Sequence, residues 1–168
     1  MRFLLVSFVF LLTACTQPIE QSNIPNSDYS PDYKISGVRQ SEVLWGGVYR
    51  QWQLITLIDK KSFAQTHYIS TDIRYPRERG RFKTALDNSG NRLHIVLVNK
   101  DHRRCRIDDE CIINESYGIE LSEKYLKKKI NSGFTVKIIS DTGYSFTIPI
   151  TNIMIQKQFE SLDNFKRM

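Results

Sequence analysis

Two runs of alternating apolar residues near the C-terminal end constrain the fold more than any other feature of the chain. One run covers residues 134–138 and the other residues 144–150, and the tetrapeptide Ser140-Asp141-Thr142-Gly143 separates them. Strict alternation places every second side chain on the same face of a strand, and a short polar segment with glycine is typical of a turn. The sequence therefore predicts a β-hairpin. Pro149 faces away from the apolar series, so it belongs near a strand end or on a sheet edge.

Shorter runs of the same kind recur from about residue 42 onward. They cover residues 43–58, 68–75, 82–86, 93–98 and 112–121. The pair Gly46-Gly47 indicates a bend or bulge within the first run, and Asp87-Asn88-Ser89-Gly90-Asn91 indicates a hairpin between the third and fourth. In residues 93–98, both faces of the strand are apolar except at His94. We therefore expect a strand that is covered on both faces.

Two segments in the C-terminal half show helical spacing instead. Ser122 is a candidate N-cap for a helix that ends before Gly133, and Thr151 or Asn152 can cap a second helix. The apolar stripe of the second helix consists of Ile155, Phe159 and Leu162. We therefore predict an α+β domain, in which about six or seven antiparallel strands form a sheet and two short helices follow in the C-terminal half.

The N-terminal end has a different character. Met1 and Arg2 precede a nearly uninterrupted apolar run over residues 3–12, which Thr13 and Ala14 follow. A positive charge, a short apolar core and a small-residue end are typical of a secretory signal peptide. The apolar run is shorter than the roughly 20 residues that a membrane-spanning helix needs.

The segment Leu12-Thr13-Ala14-Cys15 resembles the lipobox of bacterial lipoproteins, although threonine is a less usual occupant of its second position. The resemblance implies cleavage before Cys15 and attachment of acyl chains, palmitate among them, to that cysteine. Two or more acyl chains anchor a protein stably to a membrane. The family's usual signal for retention in the inner membrane is aspartate after the cysteine. Thr16 occupies that position, which implies export to the outer membrane, with the domain facing the periplasm.

The chain of 168 residues divides into three parts on this interpretation. Residues 1–14 are the signal peptide, residues 15–40 are the lipidated cysteine and a flexible tether rich in Pro, Ser, Asn and Asp, and residues 41–168 are one globular domain. The alternative for the second part is an ordered arm, in which Tyr29, Tyr33 and Ile35 pack onto the domain.

The other two cysteines, Cys105 and Cys111, enclose five residues. Export to an oxidising compartment makes a disulfide between them the default. A zinc site made from His102, Cys105 and Cys111 is the competing interpretation, but its spacing is longer than that of ordinary zinc motifs. Calcium binding by Asp108, Asp109 and Glu110 lacks the spaced oxygen ligands of a known loop. We therefore expect no metal site and no cofactor.

Basic residues form local groups within a modest net charge of +6. Arginine binds carboxylates and phosphates with two parallel hydrogen bonds, so these groups are candidates for binding an anionic partner, with a solvated surface as the alternative. The candidate residues are Arg74, Arg77, Arg79, Arg81, Arg103, Arg104 and Arg106.

No catalytic motif is present: the sequence has neither a Gly-x-Ser-x-Gly nor a His-Glu-x-x-His segment, and it has no glycine-rich phosphate loop. We expect no catalytic residues and a non-enzymatic binding module that recognises a protein partner or a cell-wall component such as peptidoglycan. A structural accessory subunit of a secretion, conjugation or pilus assembly is one alternative. An envelope hydrolase, or an inhibitor of one, is another. Nucleic acid is not an expected partner of a tethered envelope protein.

The first prediction concerns the disulfide. Mass mapping of the mature protein without reducing agent is expected to recover a single peptide pair joined through Cys105 and Cys111, because an oxidising compartment favours the bond. Recovery of two free thiols at these positions would reopen the metal interpretation.

Overall fold

The computed structural model describes residues 33–44, 48–76, 81–103 and 112–167 of the chain. Cys15, Cys105, Cys111 and the signal peptide lie outside these ranges, so the predictions about them remain predictions. The described residues form nine strands and two helices, in the order β1 (Tyr33–Leu44), β2 (Val48–Ile58), β3 (Gln65–Pro76), β4 (Phe82–Leu86), β5 (Arg92–Leu93), β6 (Ile95–Arg103), β7 (Ile112–Leu121), α1 (Glu123–Lys129), β8 (Phe134–Ser140), β9 (Ser145–Ile150) and α2 (Asn152–Lys166).

The strands form two antiparallel sheets rather than one. Sheet A has the order β1-β2-β3-β7-β6, and sheet B has the order β5-β4-β8-β9. The predicted antiparallel architecture with two helices in the C-terminal half is confirmed, whereas the predicted number of six or seven strands is too low. The two additional strands lie in segments whose apolar pattern does not predict them.

The first extra strand is β1, which begins inside the predicted tether. Residues 33–40 form a strand instead of a flexible segment, and Tyr33 and Ile35 lie opposite Ile58 and Thr56 of β2. Ile35 is buried against α2, which offsets the entropy lost on ordering the segment. Of the residues proposed for an ordered arm, Tyr33 and Ile35 therefore do pack onto the domain. Residues 15–32 of the predicted tether lie outside the described ranges.

The second extra strand arises because the chain changes sheets at His94. Leu93 pairs with Ala85 in sheet B, whereas Ile95 pairs with Ile119 in sheet A. The run 93–98 is therefore divided between β5 and β6, and β6 forms an edge of sheet A. The expectation of a strand covered on both faces was wrong, since Val96, Leu97 and Val98 are 40%, 44% and 67% exposed.

The C-terminal hairpin and the helix boundaries agree with the sequence pattern. β8 and β9 pair through a turn in which Gly143 has a φ of +83°, and Pro149 is exposed on the edge strand β9. The side chains of Ser122 and Thr151 accept hydrogen bonds from backbone N–H groups in the first turns of α1 and α2. In the part of the chain that is described, no helix is long and apolar enough to cross a membrane.

The larger of the two hydrophobic clusters among the described residues lies between the two sheets. Inward-facing residues of β2, β3 and β7 meet those of β4, β8 and β9, and α2 covers the end of sheet A near Ile35. Hydrogen bonds also cross directly between the sheets. The Trp52 indole N–H donates to the Pro149 carbonyl at 2.9 Å, and the Arg50 guanidinium donates to the Thr147 carbonyl at 2.7 Å.

The close approach of Gly133 to the backbone of Ile150 gives a testable prediction for the fold. Gly133 has a φ of +65°, and a Cβ built on it would lie 2.5 Å from the Ile150 carbonyl oxygen. Gly133→Ala combines left-handed backbone strain with a steric clash against backbone, so we expect the free energy of unfolding to fall by at least about 2 kcal/mol. Urea denaturation measures this change.

Gly143→Ala is the matched control. Gly143 also has a positive φ, but no atom lies within 4 Å of a Cβ built there. Gly143→Ala should lower the free energy of unfolding only by the cost of the left-handed backbone conformation, about 1 kcal/mol. Equal losses in the two variants would contradict the close approach between Gly133 and Ile150.

Candidate functional site

A shallow cleft opens between the sheets where β4 runs past β6. Its main part has a volume of about 260 Å³ and is lined by Arg81, Phe82, Lys83, Ile95, Leu97 and Tyr117. A second part of about 180 Å³ is lined by Lys83, Thr84, Ala85, Arg92, Leu93, His94 and Ile95. The two parts share Lys83 and Ile95, and together they are called the seam cleft below.

The seam cleft has an apolar floor and a basic rim. Ile95 and Leu97 contribute the floor, whereas Arg81, Lys83 and Arg92 are exposed. The Lys83 ammonium lies 3.1 Å from a carboxylate oxygen of Asp141, so its charge is already balanced. Among the residues that the structure describes, neither Arg81 nor Arg92 has an ion-pair partner. An anionic group that also carries apolar surface would match this arrangement.

A buried carboxylate lies behind one wall of the cleft. The side chain of Glu115 is fully buried, and the Tyr75 hydroxyl donates to its Oε2 at 2.5 Å. The Tyr117 hydroxyl donates to the same oxygen, and the Lys100 ammonium lies 3.0 Å from Oε1. Burial alone would raise the pKa of Glu115, but the hydrogen bonds from both tyrosines and the charge of Lys100 outweigh it and lower the pKa.

Tyr117 connects this carboxylate to the seam cleft. Its ring lines the cleft, and its hydroxyl oxygen accepts a hydrogen bond from the Phe82 backbone N–H at 3.2 Å. This hydrogen bond joins sheet A to sheet B, since Phe82 begins β4. Burial and the hydrogen bonds to Glu115 raise the pKa of both Tyr75 and Tyr117 well above the ordinary value for tyrosine. Both hydroxyls therefore stay protonated and act as hydrogen-bond donors.

A second buried polar cluster holds α2 against sheet A. The Gln158 amide donates to the Ile35 carbonyl at 3.2 Å and to the Thr56 hydroxyl oxygen at 2.8 Å. The Thr56 hydroxyl and His67 Nδ1 form a hydrogen bond at 2.9 Å. Burial lowers the pKa of His67, so the ring is held neutral. Because Thr56 and His67 are fully or almost fully buried, this hydroxyl–imidazole pair does not meet the surface.

The other histidine with a described side chain is His94, which is exposed. His94 Nδ1 lies 3.1 Å from the exposed carboxylate of Glu120. Within the described ranges, no three residues of the types His, Cys, Asp and Glu are grouped as metal ligands would be. The side chain of His102 and residues 104–111, which carry the proposed zinc and calcium ligands, lie outside the described part.

Of the seven candidate arginines, Arg74 and Arg81 are the two whose side chains the structure describes, and they lie on different surfaces. Arg74 is exposed on β3, in the register row that joins Tyr49 to Asn114 on the outer face of sheet A. Arg81 lies on the rim of the seam cleft, immediately before β4 of sheet B. Arg103 ends β6, but its side chain is not described. Arg77, Arg79, Arg104 and Arg106 lie outside the described ranges.

Sequence reasoning missed Lys83, Arg92 and Glu115 as parts of this site. Lys83 is a single charge within the predicted run 82–86, and Arg92 directly precedes the predicted run 93–98. The pairing of β5 with β4 brings Arg92 to the same cleft as Lys83. Glu115 did carry a signal, because it occupies an inward position between Ile113 and Tyr117 in the alternation of β7. A charge at a core position indicates a specific buried partner.

Comparison of the chain with protein-family models, with curated proteins and with solved structures finds no match. The interpretation of the seam cleft therefore depends on its own geometry and charge.

The prediction for this site concerns Glu115. Glu115→Gln keeps the size of the side chain but leaves the Lys100 ammonium without its buried partner, so we expect the free energy of unfolding at neutral pH to fall by about 3 kcal/mol. Because the pKa of Glu115 is lowered from its ordinary value of 4.5 in the folded state, the carboxylate stabilises the wild type above that pH. This stabilisation is lost as the pH falls through the lower folded pKa. The difference between the two proteins should therefore narrow on acidification, which chemical denaturation across a pH series measures.

Glu120→Gln is the matched control on the same strand. Its carboxylate is exposed and, among the described residues, pairs with His94 alone, so its loss should change the free energy of unfolding by less than about 1 kcal/mol. A similarly small effect of Glu115→Gln at neutral pH would contradict the buried ion pair.

Proposed function

We propose that the chain is a cell-envelope lipoprotein, anchored through Cys15, whose domain is a non-enzymatic binding module for a protein partner or a cell-wall component. The observation that carries the binding role is the seam cleft, where Arg81 and Arg92 flank an apolar floor without an ion-pair partner among the described residues. Positive charge beside exposed apolar surface is what an anionic partner needs for both orientation and burial.

The anchoring part of the proposal depends on the sequence. The lipobox-like segment at residues 12–15 supports acylation of Cys15, and Thr16 supports the outer membrane with the domain in the periplasm. In that compartment, peptidoglycan carboxylates and acidic protein surfaces supply anionic groups. A binding role also agrees with the shape of the seam cleft, which is open to solvent rather than enclosed.

The experiment combines location with contact in cells. A photo-reactive benzoylphenylalanine is placed at Thr84, which lines the seam cleft, in the full chain and in its Cys15→Ala variant. We expect the full chain to incorporate labelled palmitate, to fractionate with the outer membrane, and to give a defined cross-linked product containing a protein or a peptidoglycan fragment. The Cys15→Ala variant should incorporate no palmitate and should leave the membrane fraction.

Thr147 provides the matched control position, because it is an exposed threonine on β9 of the same sheet but does not line the cleft. A chain with the photo-reactive group at Thr147 should give no such product. Palmitate labelling of the Cys15→Ala variant would refute the anchor, and the absence of a product specific to Thr84 would refute the binding role.

A further inference from the structure

The two sheets present four edge strands, and three of them carry features that oppose pairing with another chain. In the part of the chain that the structure describes, the edges are β1 and β6 of sheet A and β5 and β9 of sheet B. Natural sheets protect their edges with charges, proline, bulges or very short strands. β9 carries Pro149, β5 has only two residues, and β1 has a register shift after Ser36, exposed Arg39 and Glu42, and α2 packed against it.

The fourth edge, β6, is apolar in its first half only. It has nine residues, and Val96, Leu97 and Val98 are consecutive and exposed. Lysine on an edge usually prevents pairing, but the Lys100 ammonium is turned inward to the buried Glu115. A register shift follows Leu97, so the regular part of β6 available for pairing is its first half.

The backbone of this first half has hydrogen-bonding groups directed away from sheet A. The Glu120 N–H donates to the His94 carbonyl at 2.9 Å, which makes this opposed pair a hydrogen-bonded one. Antiparallel ladders alternate between bonded and non-bonded pairs, so Val96 and Gly118 form the next bonded pair. Ile95 and Leu97 therefore direct their N–H groups away from β7, toward the free edge.

The charges beside this edge select the partner. Ile95 and Leu97 line the seam cleft, so a strand added to β6 would have every second side chain above the cleft. There it would meet Arg81 and Arg92, which have no ion-pair partner among the described residues. Acidic side chains at alternate positions of the added strand would face these two arginines. A second copy of the chain fits this edge less well, because pairing β6 with β6 brings two sets of these cations together.

We propose that an extended peptide with acidic residues at alternate positions binds β6 by strand addition and becomes the sixth strand of sheet A. The proposal rests on the binding function proposed above and specifies its partner. Main-chain hydrogen bonds to β6 supply affinity, and the arginines of the seam cleft supply specificity.

The test uses the full chain purified in detergent and a fluorescent peptide of about eight residues that alternates glutamate and valine. Two variants at one position separate strand addition from side-chain contact. Leu97→Ala removes the apolar side chain but keeps the outward N–H, whereas Leu97→Pro removes that N–H as well. We expect fluorescence anisotropy to give saturable binding to the wild type, and binding to Leu97→Pro about tenfold weaker than to Leu97→Ala.

Two measurements on the wild type keep the test independent of whether Leu97→Pro folds. Saturating peptide should slow hydrogen exchange at the Leu97 amide, as measured by nuclear magnetic resonance. A peptide with the same side chains but with N-methyl groups on alternate amides should bind at least about tenfold more weakly, because one of its edges can no longer pair. The analogue with lysine in place of glutamate should not bind.

Each alternative gives a distinct result. Equal binding of the N-methylated peptide, or unchanged exchange at Leu97, would show contact through charge alone and would overturn strand addition. Dimerisation of the full chain that Leu97→Pro abolishes would identify a second copy as the occupant and would also overturn it. A cross-linked product at Thr84 without peptide binding would refute strand addition but leave the proposed binding function intact.

Discussion

The buried carboxylate of Glu115 is the constraint on which the arrangement of the two sheets depends. Removing a charged carboxylate from water costs several kcal/mol unless hydrogen bonds and an opposite charge compensate it. Here the compensation comes from Tyr75 on β3, Tyr117 on β7 and Lys100 on β6, so three neighbouring strands of sheet A must keep their register. The bond from the Phe82 N–H to the Tyr117 hydroxyl extends the same requirement to sheet B. One ionised side chain thus fixes the relative position of the two walls of the seam cleft.

The same ion pair explains why β6 has an apolar edge. A lysine in an edge strand normally directs its charge into solvent and discourages pairing with other chains. Lys100 instead pairs with Glu115 and is only 20% exposed. Its charge therefore does not face solvent at the edge that carries Val96, Leu97 and Val98. The stability of the core and the exposure of this edge are therefore coupled. A substitution that releases Lys100 from Glu115 would both weaken the core and return a charge to the edge.

The sequence was most informative where structure is local. The β8–β9 hairpin, strand β7 and both helix caps follow from alternation, a turn glycine and capping hydroxyls within a few residues. It was least informative where a distant partner decides the outcome. β1 is interrupted by a register shift after Ser36, which changes the phase of its alternation, and its polar composition suits an exposed edge as well as a tether. The change of sheet at His94 likewise depends on pairing with β4 and β7, which no pattern within residues 93–98 encodes.

The candidate site was only partly predictable for the same reason. Arg74 and Arg81 are close in sequence, but β3 belongs to sheet A and β4 to sheet B, so the two arginines lie on different surfaces. Arg92 lines the cleft instead. It lies eleven positions after Arg81, on the strand that pairs with β4. The order of sheet A adds a further consequence, because β1 and β6 occupy opposite edges, four strand spacings or about 19 Å apart. β1 is the first element of the described chain. In the proposed arrangement, Cys15 precedes the strand at the edge of sheet A opposite the one proposed to receive a partner strand.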